Sequence, residues 1–191
     1  MTIQELFILS EHALTKVVDQ IKDEQWTLEV PAAIAREPGT LKKIINYHVY
    51  DDIWVPEVLA GKTIAEVGDK YEGDLLGEDP KKSWHTVTDK TITAVKNLTD
   101  VDKKVHLSYG DFSAHDYLWH IATFRMFRAV DLARLIGVDD TLPPELVQGM
   151  WDTLLPKAEW LRQVGVFTPE VPVAKTAPLQ ARLLGLSGRQ P

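Results

Sequence analysis

The sequence contains no cysteine, so its six histidines, at positions 12, 48, 85, 106, 115 and 120, are the side chains best suited to bind a metal. A neutral imidazole offers a nitrogen to a divalent cation, and a neighbouring carboxylate adds an oxygen. His48 falls on the apolar side of a helical pattern set by Leu41, Ile44, Ile45, Val55 and Leu59, with Asp52 one turn later. His120 shares a face with Phe124, Phe127, Arg128 and Asp131 through three- and four-residue spacing. If these two faces meet, His48, Asp52 and His120 form a nitrogen–oxygen metal site of the kind bundles build between facing helices. The plainer alternative is that His48 and His120 are buried or rim histidines satisfied by hydrogen bonds. Arg128 and Asp131 also read two ways, as an inward pair able to hold an anionic ligand or as a local helix salt bridge. His115 diverges from His120 around the helix and reads as a surface residue, as do His12, His85 and His106.

Other chemistries are set aside by what is missing. Without cysteine there is no disulfide framework, thiolate metal site or cysteine nucleophile. No serine sits in a nucleophile-elbow motif. Gly73-Asp74-Leu75-Leu76-Gly77 lacks the lysine and preceding strand of a phosphate-binding loop. The net charge is −7, and basic residues cluster only as the pairs Lys42-Lys43, Lys81-Lys82 and Lys103-Lys104. Nucleic acid and anionic membrane surfaces are therefore not expected partners. No apolar run approaches the ~20 residues of a spanning helix, and no basic segment precedes an apolar core at the N-terminus. A cytoplasmic protein is the expectation.

The elements that would position these residues are helices. An apolar stripe of Leu6, Leu9, Ala13, Leu14, Val17 and Ile21 predicts a first helix over 3–21. Pro31 and Pro38-Gly39 mark a loop. Thr40 is the N-cap of a second helix that closes at Gly61, with Pro56 expected to kink it or start a new turn. Residues 62–78 read as a long ordered loop with one helical turn. Asp79-Pro80 opens a third helix to about Asn97. Residues 105–109 alternate toward Gly110 and predict a short hairpin arm. Ser113 caps a fourth helix over 114–136 that ends at Gly137. A fifth begins near Pro143-Pro144 and runs to about Val164, interrupted at Pro156. An extended tail over 167–178 precedes a short helix over 179–186. The whole chain, 1–191, is expected to be one all-α domain: a four-helix bundle with an additional C-terminal helix and an extended tail.

Several segments together carry a family likeness: the run from Trp54 to Gly68, Gly73 to Pro80, His106 to Asp111, Val130 to Arg134 and Ala177 to Leu184. Over nearly its whole length the chain resembles actinobacterial proteins related to the N-terminal domain of mycothiol-dependent maleylpyruvate isomerase, within the DinB-like metal-binding bundles. The resemblance implies a four-helix bundle with a divalent metal, zinc or nickel, held by three side chains, and mycothiol as a thiol cofactor. The implied ligands are a histidine on the second helix, then an acidic residue and a histidine one turn apart on a later helix. In this sequence the later pair falls on Phe124 and Arg128, and the second-helix position falls on Tyr47 or His48. Tyr47, Phe124, Arg128 and Asp131 are thus expected around a pocket. Arginine stays protonated and does not ligate a cation, so Arg128 is expected to supply its own positive charge there and pair with Asp131 or Asp52. Three functions remain open on this reading. The first is a binding or regulatory protein with a degenerate metal site and a pocket for a small molecule. The second is a metal-dependent thiol-cofactor transferase or isomerase using His48, Asp52 and His120. The third is a structural module that forms a homodimer.

Overall fold

The structure is a computed structural model that describes residues 1–32, 34 and 39–191. It is mostly α. The loop expected around Pro38 lies outside the described residues. Backbone contacts divide the chain into two compact units, Thr2–Asp140 and Thr141–Pro191 with Met1.

In the larger unit, α1 spans Ile3–Val18. It opens with a reciprocal cap in which Thr2 Oγ1 accepts from Glu5 N–H and Glu5 Oε2 accepts from Thr2 N–H. It stops three residues short of the predicted end. Ile21 is nevertheless buried, because the chain turns inward there before a 3-10 turn over Asp23–Thr27. Two short strands, β1 (Glu29–Val30) and β2 (Gly39–Thr40), pair antiparallel and deliver the chain to α2 (Leu41–Leu59). Thr40 caps α2 by accepting from Lys43 N–H. A single turn, α3 (Ile64–Val67), precedes α4 (Pro80–Lys96), which Asp79 caps ahead of a proline at the first helical position. The hairpin β3 (Lys104–Leu107) and β4 (Gly110–Ser113) leads directly into α5 (Ala114–Ile136). Gly137 ends α5 in the left-handed conformation at φ +75°, which a side chain would strain.

Among the described residues of this unit four long helices pack on one another: α1 against α5 and α4, and α2 against α4. Pro56 remains inside α2 instead of ending it. Proline has no N–H, so the carbonyl four residues earlier, that of Asp52, loses its intrahelical partner. Thr91 of α4 replaces it, its Oγ1 donating to the Asp52 carbonyl at 2.7 Å. A helix defect is thereby turned into an interhelical link.

In the smaller unit, α6 (Pro144–Leu154) passes through a 3-10 turn at Leu155–Lys157, where Pro156 interrupts it, into α7 (Ala158–Gln163). The predicted last helix is α8, Leu179–Leu186, and it packs against α6. Gly185 has to be glycine: an added Cβ would lie 2.6 Å from the Val171 carbonyl, whose residue also donates its N–H to Gly185 O at 3.0 Å. No helix among the described residues is long and apolar enough to cross a membrane.

The Thr91 link can be measured alone. Thr91→Val should cost about 1–2 kcal/mol in urea unfolding, by leaving a buried carbonyl unpaired. The same change in a Pro56→Ala background should cost clearly less, because alanine restores the backbone donor.

Candidate functional site

Three charged side chains occupy positions where the apolar stripes of their helices demand hydrophobes. On α5 the stripe runs Leu118, Ala122, Arg125, Ala129, Leu132, Ile136; on α1 it runs Phe7, Glu11, Leu14, Val18; on α2 it runs Ile45, His48, Asp52, Val55. The helical period therefore drives Glu11, His48, Asp52 and Arg125 into the core, and all four are fully buried. Ala122 and Ala129, one turn on either side, keep the flanks of Arg125 short.

Arg125 is the hub. Its Nε donates to Glu11 Oε1 at 2.9 Å, and Nη2 donates to Asp52 Oδ1 at 2.6 Å and to the His48 carbonyl at 2.8 Å. Nη1 donates to His48 Nδ1 and lies 3.8 Å from Asp51 Oδ2. The five N–H groups of the guanidinium thus point at carboxylates, a carbonyl and an imidazole nitrogen. Burial works against its charge, but Asp52, Glu11 and Asp51 outweigh burial and hold the guanidinium protonated more firmly than usual.

The carboxyls respond in the opposite direction. Burial, with Asp52 nearby, pushes Glu11 up to about 8 against the pull of Arg125. Burial also raises Asp52, and the Arg125 guanidinium offsets part of that rise. Asp51, whose side chain is 29% exposed, is pushed up to about 6 by burial. Three carboxyls around one guanidinium, two of them fully buried, cannot all ionise, so at neutral pH the Glu11–Asp52 pair retains a proton. His48 is held neutral, well below its ordinary range, by burial and then by the charges of Arg125 and Arg128. Since its Nδ1 accepts from Arg125, its proton resides on Nε2, which is buried and has no hydrogen-bond partner.

His48 and Asp52, two of the three expected metal ligands, thus meet at Arg125. His120 instead joins an aromatic group, with its Nδ1 3.4 Å from the Tyr109 hydroxyl and its ring 5.2 Å from Phe112 and 5.6 Å from Trp119. Of the two neighbours, His48 faces the interior and is fully buried, whereas Tyr47 is 57% exposed. Phe124 lies 5.5 Å from the His48 ring, and the Arg128 guanidinium 5.0 Å from the Phe124 ring. Arg128 is buried and its Nη1 donates to the Ile34 carbonyl; the guanidinium that pairs with Asp52 is that of Arg125. Asp131 is half-buried one turn beyond Arg128. His85, His106 and His115 form surface pairs with Asp19, Asp111 and Asp116.

Sequence reasoning missed Glu11, Asp51 and Arg125. The available signal was a charged residue interrupting an apolar stripe on α1 and again on α5. The residues around His48 do not suit a divalent cation. Asp52 and His48 Nδ1 are committed to Arg125, and a ring and a second guanidinium stand at positions 124 and 128. Among the described residues no group of three or more His, Asp or Glu could hold a metal ion. A surface depression bordered by Asp23, Trp26, Lys42 and Asp74 includes no member of the cluster.

Two measurements test this electrostatic assignment. Arg125→Leu strands the carboxyls and should cost about 3–5 kcal/mol at neutral pH. Glu11 binds a proton in the folded state that the unfolded chain gives up near pH 4.5, so stability should fall as pH rises from about 4.5 through about 8. Asp51 adds the same sign of change between 3.8 and about 6. His48, held neutral in the fold, contributes the opposite sign below its ordinary value of 6.5, so urea midpoints are followed from pH 6.5 to 9, where they should decline in the wild type and decline much less in Glu11→Gln.

Compared with protein-family models, with curated proteins and with solved structures, the chain matches none.

Proposed function

We propose that this chain is a DinB-like four-helix bundle, related to the N-terminal domain of mycothiol-dependent maleylpyruvate isomerase, that has exchanged its metal for an internal guanidinium. On this reading it is a cytoplasmic protein that binds a small molecule without the standard metal triad of its relatives. The observation that carries the reading is the engagement of Arg125 with both His48 Nδ1 and Asp52. Those two groups would otherwise be the best cation donors in the bundle, and a permanently charged guanidinium competes with a divalent ion for the same space. Phe124 and Arg128 support it, since neither can replace the acidic residue and histidine that the resemblance implies.

Zinc retention provides the test. After dialysis against zinc chloride and then metal-free buffer, the wild type should retain no stoichiometric zinc by elemental analysis. Arg125→Ala releases Glu11, His48 and Asp52, an oxygen–nitrogen donor set that suits zinc, and should retain it. Stoichiometric zinc in the wild type that is lost in His48→Ala contradicts the proposal and favours the metal-dependent thiol-transferase alternative.

A further inference from the structure

On α2 the helical repeat sets Lys42, Asn46, Tyr50, Trp54 and Glu57 one above another, in a row that shares no residue with the buried cluster. Residues 62–78 are fastened to this row from end to end. At one end Glu57 accepts from Lys62 Nζ at 2.5 Å on one oxygen, and from the Tyr71 hydroxyl at 2.6 Å and Lys70 Nζ at 3.1 Å on the other. Hydrogen bonds from Lys62, Tyr71 and Lys70, in that order, hold its carboxyl down to about 2, so it stays charged in any ordinary buffer. Next, the Tyr71 ring meets the Trp54 ring edge-on at 6.2 Å. Asn46 then serves the backbone: its Oδ1 accepts from the N–H groups of Leu75 at 2.7 Å and Leu76 at 3.3 Å, and its Nδ2 donates to the Gly73 carbonyl at 3.0 Å. At the far end Lys42 Nζ donates to Asp74 Oδ2 and to the Gly77 carbonyl, both at 3.0 Å.

These fastenings run through side chains. Among the described residues the only backbone hydrogen bond from 62–78 to α2 joins Lys62 N–H to the Glu57 carbonyl, at the point where the chain leaves the helix. Of residues 62–78 only Val67 and Leu76 are buried. The lysines that pair with Glu57 and Asp74 are partly in solvent, where an ion pair contributes little. Gly61 and Gly77, at the two ends, turn the chain with φ of +84° and +60°. Few buried apolar contacts and solvent-facing polar bonds define a segment of low local stability, whereas the four long helices share a core. We propose that residues 62–78 are a strap that opens from α2 as one unit while the four long helices stay folded. Opening lifts Tyr71 from Trp54. It also removes one wall of the surface depression, because Asp74, Gly77 and Glu78 border it opposite Asp23 and Trp26. The proposal is independent of the metal-free reading, since no member of the buried cluster takes part.

The test is native-state hydrogen exchange on the ¹⁵N-labelled full chain, read at the Leu75 and Leu76 amides and at the slowest amides of α5. In the wild type the Leu75 and Leu76 pair should exchange roughly a hundredfold faster than those of α5. Glu57→Gln keeps the side chain's size, loses its charge pairing with both lysines, and touches neither reporter amide. If the strap opens as one unit, it should speed Leu75 and Leu76 roughly three- to tenfold. Val130→Ala, in the core of α5, should speed the α5 amides roughly tenfold and leave Leu75 and Leu76 unchanged, because its contacts survive strap opening. Leu75 and Leu76 rates that do not respond to Glu57→Gln mean that the two ends loosen separately, and overturn the strap. Leu75 and Leu76 rates that equal those of α5, or that rise with them in Val130→Ala, mean that the segment opens only when the bundle unfolds, and overturn it as well.

Discussion

A guanidinium that cannot release its proton has been placed in the middle of a helical core, and the rest of the larger unit is arranged to accommodate it. Arg125 comes from α5, Glu11 from α1, and His48 with Asp52 from α2. The fourth long helix joins through Thr91, whose hydroxyl donates to the Asp52 carbonyl that Pro56 leaves free. The apolar stripes provide most of the driving force for packing, at roughly 25 cal/mol per Å² buried. Stripes alone tolerate sliding and rotation. A buried ionic cluster does not, because a shift of one residue in any helix would leave a charge or carbonyl unpaired in a dry interior. Such clusters seldom add net stability over a hydrophobic core, and their contribution here is to set the relative register of the helices.

The same cluster determines where protons lie. One guanidinium can neutralise one carboxylate fully, yet Glu11, Asp51 and Asp52 all approach it. Burial settles the excess by keeping a proton on the Glu11–Asp52 pair and by moving Asp51, at the exposed edge, toward neutrality. The imidazole of His48 is affected through its tautomer. With Nδ1 committed as an acceptor and its charge disfavoured by burial, it becomes a donor on its other side. Functionally this differs from a metal centre. A metal would take the imidazole nitrogen as a ligand and polarise a bound thiol or water, whereas Arg125 orders the imidazole and leaves an oriented N–H.

Helix boundaries were legible wherever capping chemistry marked them. Thr40, Asp79-Pro80, Ser113 and Gly137 each stand at the expected cap. The first helix was overrun because Ile21 keeps the apolar period after the backbone has turned, and burial alone does not distinguish helix from turn. Of the cluster, His48 and Asp52 were visible as candidates because an apolar face surrounds them. Glu11 and Arg125 escaped because a charged residue read along one helix looks solvent-facing, and only its partner reveals that it is buried. Those partners lie 114 and 77 residues apart in the chain, beyond the reach of periodicity. The positive charge anticipated at Arg128 is supplied to Asp52 by Arg125, three positions earlier and about one turn away on α5.

The most direct measurement is hydrogen exchange at the Arg125 side chain by NMR. If its guanidinium is the charged hub of the core, the Arg125 Nε–H should be resolved and should exchange about as slowly as the most protected backbone amides of α5. A side chain that exchanges at the rate of an exposed arginine would place the guanidinium in solvent, and would contradict the account of the fold and of the site together.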